Sequence, residues 1–401
     1  MKLKHILIPY AVLLVVIPAL ITHLFVPLKI DRNLWETIMD VMMAVVSIGG
    51  LIIVVIRRKK HFHGWLPLLS LLVLVIIPQL WLWQTQSEKF SQLRQIYRFA
   101  LLYISLFIIP LEIHFSRREL CILIGALCLF GFFCCGYEIW KNPRVWESMR
   151  FFSHKKAGVM SFFGQRNRFG AYNALWMILC LFAFQLSEKK WWLIPCVFFG
   201  VFLIMTESRG GLLLGGMFIF CSFLSYRKRI GAKNTAVILV DLLIIALLLW
   251  LIPPVRNFAE SLIDVDRGVT GRDRIWQVSW DYYREANPFF GHGLGTPIEQ
   301  IMIDRLGAVV STHNVYLYIL NSGGICMILF YIFSFAFLLR YHCRRRHYLI
   351  PLLISVMVYG FFELACTPFD YWHLSNMFTI CMFFLPSAAA FRRLRTGIPI
   401  H

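Results

Sequence analysis

The stretch LCILIGALCLFGFFCCGY, from Leu120 to Tyr137, contains no charged residue and is bracketed by Arg117-Arg118-Glu119 and Glu138. About 20 mostly apolar residues in an α-helix cross the hydrocarbon core of a bilayer, so the run around it, 119–140, reads as a spanning helix. Eleven further runs meet the same test: 6–28, 35–56, 65–83, 95–114, 168–186, 191–206, 209–226, 234–252, 314–340, 348–364 and 371–390. The composition agrees. Of the 401 residues 59% are hydrophobic and 15% are charged, and the mean hydropathy is +0.68; a soluble domain is about one quarter charged. The expected fold is an all-α polytopic membrane protein of about twelve transmembrane helices. It forms one integral membrane domain over 1–401, with one large outward loop at 253–313 that contains short helices.

The chain carries 40 Lys+Arg against 21 Asp+Glu, a net charge of +19. In a soluble protein this would suggest nucleic acid. In a membrane protein the excess of Lys and Arg in cytoplasmic loops comes first. With the N-terminus in the cytoplasm, the basic groups Arg57-Arg58-Lys59-Lys60, Arg117-Arg118, Lys189-Lys190, Arg227-Lys228-Arg229 and Arg344-Arg345-Arg346 fall on one side. Arg392, Arg393 and Arg395 join them, and Glu112, Glu119 and Glu188 are the acids there. Both termini are then cytoplasmic, and topology absorbs nearly the whole charge excess. The eleven cysteines lie mostly inside apolar runs and act as small hydrophobes. Their spacing suggests neither a zinc site nor a disulfide framework. No Gly-x-Gly-x-x-Gly follows a strand, so nucleotide binding has no support.

One outward segment departs from the charge rule. Lys141, Arg144, Arg150, Lys155, Lys156, Arg166 and Arg168 face only Glu147. Such a loop suits docking of an anionic lipid or a phosphorylated glycan; the alternative is a solvated loop. Within 253–313, Thr270 with Asp273 resembles a capping box. Trp276, Trp280 and Tyr283 then share a helix face that is expected to lie on the bundle.

Four short motifs carry candidate chemistry, three at outward ends of spans and one inside the long outward loop. Thr206-Glu207-Ser208-Arg209-Gly210-Gly211 joins two apolar runs, and an Arg at a helix start beside glycines makes an anion site. The alternative there is a snorkelling Arg. Gly164-Gln165-Arg166-Asn167-Arg168-Phe169-Gly170 offers amides and guanidiniums for sugar and phosphate, or a plain helix entry. In Gly271-Arg272-Asp273-Arg274-Ile275-Trp276, Arg272 opposes the helix dipole, which points to a ligand or to a salt bridge within the loop. Ser311-Thr312-His313-Asn314 re-enters the membrane, and an imidazole can take a proton from a sugar hydroxyl. His292 is a second candidate proton carrier, Asp241 a candidate buried acid, and Glu363 and Asp370 are placed to orient a basic group.

In this order the motifs resemble the O-antigen ligase/polymerase family of bacterial inner-membrane glycosyltransferases. The matches are Gly164-Gln165-x-Asn167, Ser208-Arg209-Gly210, Gly271-Arg272 with Ile275-Trp276, and Asn287-Pro288-x-x-Gly291-x-Gly293-x-Gly295. His313-Asn314-x-x-Leu317 follows, and then Gly323-Gly324-Ile325. Asn321 stands where many relatives carry an acid. The resemblance implies a metal-independent, inverting transfer with no cofactor, on the periplasmic face of the inner membrane. The donor would be a glycan on undecaprenyl diphosphate and the acceptor a hydroxyl of the lipid A core, among membrane lipids and without nucleic acid.

On that reading His313 is the base. Arg209 and Arg272 hold the diphosphate, since arginines stabilise the charge that grows on it as the bond breaks. Arg166 and Arg168 hold diphosphate or acceptor phosphates. Gln165, Asn167, Arg274, Asn314, Lys155 and Lys156 complete the substrate contacts. Two other activities belong to the same family, polymerisation of lipid-linked repeats and transfer to protein Ser or Thr. A polysaccharide or lipid transporter is the reading from another class. It would put ionisable groups along the membrane midplane, where Asp241 is the sole candidate.

Overall fold

The computed structural model describes residues 32–58, 62–84, 89–113, 115–142, 159, 161, 166–230, 272–295, 298–307, 312–343, 349–363 and 379–390. Among them the regular elements are all helical. Five helices are long and apolar enough to cross a bilayer: Trp65–Trp83, Gln92–Glu112, Arg117–Lys141, Arg166–Ser187 and Val315–Arg340. Four more expected spans are shorter apolar helices, Asp40–Ile56, Lys190–Met205, Arg209–Phe223 and Leu349–Tyr359. The spans expected at 6–28 and 234–252 lie outside the described residues, as do Asp241, Thr270, Asp370 and residues 371–378. The chain is a multi-pass membrane protein.

Two compact units divide the chain. The first comprises 1–126, 271–349 and 356–401. Its apolar centre is aromatic: Tyr103 lies between Phe107 and Phe330, and Phe107 meets Phe337 and Phe383. Three of its helices contain a π-helical turn, at Leu72–Ile76, Ile104–Ile108 and Ile380–Phe384. Each turn is followed two residues later by a proline, Pro78, Pro110 or Pro386. A proline lacks an N–H, and its ring strikes the carbonyl four residues back, here that of Leu74, Leu106 or Met382. A wider turn at that point relieves the collision without ending the helix.

Two polar locks join elements of this unit. Arg98, buried in the Gln92–Glu112 helix, donates Nε to Asp40 Oδ1 and Nη2 to Oδ2, and Arg94 donates Nε and Nη2 to the same Oδ2. A charge in a spanning helix is tolerated when it is paired in this way. At the opposite end of the same helix, Glu112 accepts the backbone N–H groups of His63 and Gly64, which precede the Trp65–Trp83 helix.

The run 314–340 is not one continuous helix. Gly324 has φ 61° and ψ −158°, which breaks the Val315–Cys343 helix. The segment Asn287–Gly295 fills the break. His292 N and Gly293 N donate to the exposed carbonyls of Asn321 and Ser322, and Ile325 N and Cys326 N donate to Pro288 O and Phe289 O. Each orphaned end of the broken helix is thus satisfied by the inserted loop, as a low-dielectric setting requires. Gln79 ties the assembly to a third element by accepting from Leu294 N and donating to Phe290 O. A Cβ on Gly324 would lie 2.4 Å from the Phe289 carbonyl carbon, so the insertion depends on glycine there.

The second unit comprises 127–270 and 350–355. The Arg166–Ser187 helix is its centre, with Phe169, Tyr172, Trp176 and Cys180 fully buried. Trp176 meets Phe130 and Phe199 from the two neighbouring helices. Cys180 lies 3.4 Å from Cys128, both as free thiols.

Candidate functional site

The structure brings the four motifs together in two pairs, one in each unit. In the second unit, the segments 166–170 and 206–211 touch through their backbones. A Cβ on Gly170 would lie 2.3 Å from Ser208 Cβ and 2.7 Å from Thr206 Oγ1, and a Cβ on Gly211 2.6 Å from the Gly170 carbonyl carbon. Ser208 caps the Arg209–Ile230 helix by accepting from Gly211 N at 3.1 Å, and its hydroxyl reaches Asn167 O at 3.4 Å. Glu207, in the left-handed region at φ 48°, turns the chain between the two helices. The starts of both helices therefore lie side by side. Arg166 and Arg209 are exposed there and Arg168 is half-exposed. Arg166 lies 3.8 Å from Glu207, with both side chains open to solvent, a pairing worth at most about 1 kcal/mol and easily exchanged for a ligand anion. Glu138 anchors the approach to this corner by accepting from Ser161 N and from Asn142 Nδ2. Lys155, Lys156 and Gln165 lie outside the described residues.

In the first unit, Glu363 joins the other two motifs. Its Oε1 accepts from Arg272 Nη2 at 3.0 Å, and its Oε2 lies 3.3 Å from His313 Nδ1. Arg272 Nη1 also donates to Phe362 O at 2.8 Å. The carboxylate side chain is 7% exposed, against 19% for Arg272 and 24% for His313. Of the two readings of Arg272, a ligand or a salt bridge within the loop, the second is corrected: its salt bridge runs to the turn after residue 359. The corner that carries His313 is held on every side. Trp276 Nε1 donates to Thr312 O, Thr312 Oγ1 to Asn314 O, and Val315 N to Gly360 O. These bonds sustain His313 at φ 46°, a conformation that is unfavourable for a β-substituted residue. With Nδ1 facing Glu363, the Nε2 edge is the one left for a substrate.

Asn314 uses its side-chain oxygen to cap the helix that follows, accepting from Tyr316 N and Leu317 N. Arg274 is exposed. The loop helix Arg272–Arg284 buries Ile275, Ser279, Tyr282 and Tyr283. Ile275 and Tyr282 form a small core with Ile298 and Met302. The expected aromatic face is thereby displaced by about one residue: Trp280 is 41% exposed while Trp276 is partly covered. Asn321 sets that rotation by donating to Ser279 O.

His292 is stacked on Tyr282, ring centroids 3.7 Å apart, and its Nε2 contacts Tyr282 O at 2.8 Å. Burial holds its pKa below the ordinary imidazole value. It is built into the loop and does not join Glu363. The carboxylate of Asp40 and the amide of Gln79 carry no motif around them, so sequence offered no signal for either beyond a polar residue inside an apolar run.

Residues 194–332 match the model of the O-antigen ligase family. Over that third of the chain the sequence is similar to this family. The matched segment contains Arg209, Arg272, His313 and the loop inserted at the helix break. The corner residues Arg166–Gly170 precede it, and Glu363 follows it. No curated protein matches the chain.

Proposed function

We propose that the chain is an inner-membrane glycosyltransferase that moves a glycan from undecaprenyl diphosphate to a sugar hydroxyl of the lipid A core on the periplasmic side. The observation that carries this reading is the Glu363 carboxylate, which bonds Arg272 and His313 together. In the step envisaged, the acceptor O–H gives its proton to His313 Nε2. The acceptor oxygen bonds the anomeric carbon from one face while the carbon–oxygen bond to the diphosphate breaks on the other, which inverts the configuration. Glu363 holds the imidazole in one tautomer and stabilises the imidazolium that forms. The departing diphosphate gains negative charge, and guanidinium groups stabilise that state more than the ground state.

Arg272 keeps two of its nitrogens on the 362–363 turn, and a guanidinium has five N–H donors in all. The others remain for phosphate oxygen. Arg209 also serves the diphosphate, and Arg166 and Arg168 serve the diphosphate or acceptor phosphates. Asn167 and Arg274 border these groups.

The test is deletion with complementation, read on a lipopolysaccharide gel. The ligase reading expects loss of long-chain material with accumulation of lipid-linked polymer. Capping of the core by a single repeat would make the chain a polymerase, and unchanged lipopolysaccharide would overturn both.

A further inference from the structure

Next to the Glu363 cluster stands an aromatic ring that the reaction as described does not use. Phe361 is 51% exposed. An exposed aromatic at the end of an apolar helix ordinarily serves as an interface anchor, and an anchor needs no fixed orientation. Phe361 has one. Its ring lies 4.3 Å from that of Tyr316 at an interplanar angle of 40°. Tyr316 is pinned at both ends, its hydroxyl donating to Met357 O at 2.7 Å and its N–H to Asn314 Oδ1 at 2.9 Å. The turn beneath is equally fixed: Phe361 N donates to Val358 O, and Phe362 N and Glu363 N to Tyr359 O. The next two residues of that turn are those that hold Arg272 and His313. The ring is therefore locked to the same frame as the proposed base. Trp280, also exposed, differs: it stands on the loop helix and not on the turn that carries Glu363, and the cation of Arg284 lies over its ring at 5.8 Å.

We propose that Phe361 is the platform on which the acceptor sugar stacks while His313 takes its proton. A hexopyranose has one face of C–H groups and a rim of hydroxyls. The C–H face suits the electron-rich face of an aromatic ring, and the rim of hydroxyls is left for polar groups. The sugar class is a hexopyranose with an unbroken C–H face, as in gluco- or galacto-configured rings. This rests on the glycosyl-transfer reading above.

The experiment uses the full chain in lipid nanodiscs with methyl β-galactoside and methyl β-glucoside as probes, read by saturation-transfer NMR. The expected result is saturation of the sugar C–H protons that falls roughly three- to ten-fold in Phe361→Leu and returns in Phe361→Trp. Equal saturation in wild type and Phe361→Leu, or none from wild type, overturns the platform. Loss in both variants together with a lowered Tm assigns Phe361 to folding and overturns it as well. Retained glycan transfer by His313→Ala in cells counts instead against the reaction, so the two failures are separable.

Discussion

At the residue scale the decisive contact is Glu363 with His313. A hydrogen bond to a charged partner contributes about 1.5–3 kcal/mol, so Glu363→Gln is expected to lower glycan transfer roughly 10- to 150-fold with normal protein level. His313→Ala removes the proposed base, and a loss of roughly 100- to 10,000-fold is expected. Both are measured as the rate at which long-chain lipopolysaccharide appears after induction of the complementing gene. Transfer by Glu363→Gln equal to wild type would reduce the carboxylate to a structural partner of Arg272. The basic and imidazole members of this cluster were legible because each sits in a short motif. Glu363 could be noted only as an acid on an outward turn. It stands 50 residues from His313, and no local pattern links the two.

At the element scale, the apolar runs located the helices, and glycines marked the places where helices meet or break. The glycines beside Arg209 read as allowing close backbone approach at a helix start, and Gly211 with Gly170 lets two helix starts touch. Gly170→Ala would force Ser208 and Thr206 aside and is expected to cost about 1–3 kcal/mol by overpacking. A lower melting temperature of the purified protein checks this, and an unchanged one would mean that the corner yields freely. The break at Gly324 was hidden because the apolar pattern continues through it, and hydropathy does not register a backbone kink. The π turns were hidden likewise, although the recurring Ile-Ile-Pro and Phe-Leu-Pro runs carry a physical signal for them. The inserted loop brings a pH dependence of its own. His292 has a folded pKa below its ordinary value because of burial, so the unfolded loop binds more protons as pH falls. The loop's stability is complete above the ordinary imidazole range and is lost on acidification toward the folded pKa. Hydrogen exchange at the His292 and Gly293 amides should quicken relative to the intrinsic rate as pH drops below the ordinary imidazole range. His292→Phe, which keeps the stack, should abolish that excess.

At the scale of the whole molecule, the informative quantity is the sidedness of charge. The net +19 says little about chemistry once the cytoplasmic loops are set aside. What remains is a distribution in which, with the N-terminus placed in the cytoplasm, Arg166, Arg168 and Arg209 are expected at outward ends of spans and Arg272 in the outward loop. This assignment rests on Lys and Arg counts, and it is open to direct test. A fluorescent-protein fusion at Arg229 or at the C-terminus is expected to glow, while alkaline phosphatase fused at those points stays inactive. A phosphatase fusion at Gly295 should be active, because that loop belongs to the face that carries His313. The reverse pattern would put Arg272 and His313 in the cytoplasm. A periplasmic transfer could not then occur at Glu363, however well its geometry suits proton removal. The same fusions bear on the transporter alternative. A transporter needs its charged groups reachable from both faces in turn. If cysteines at Arg166 and Arg274 react with impermeant thiol reagents only from outside, whatever the substrate load, the paired corners serve surface chemistry.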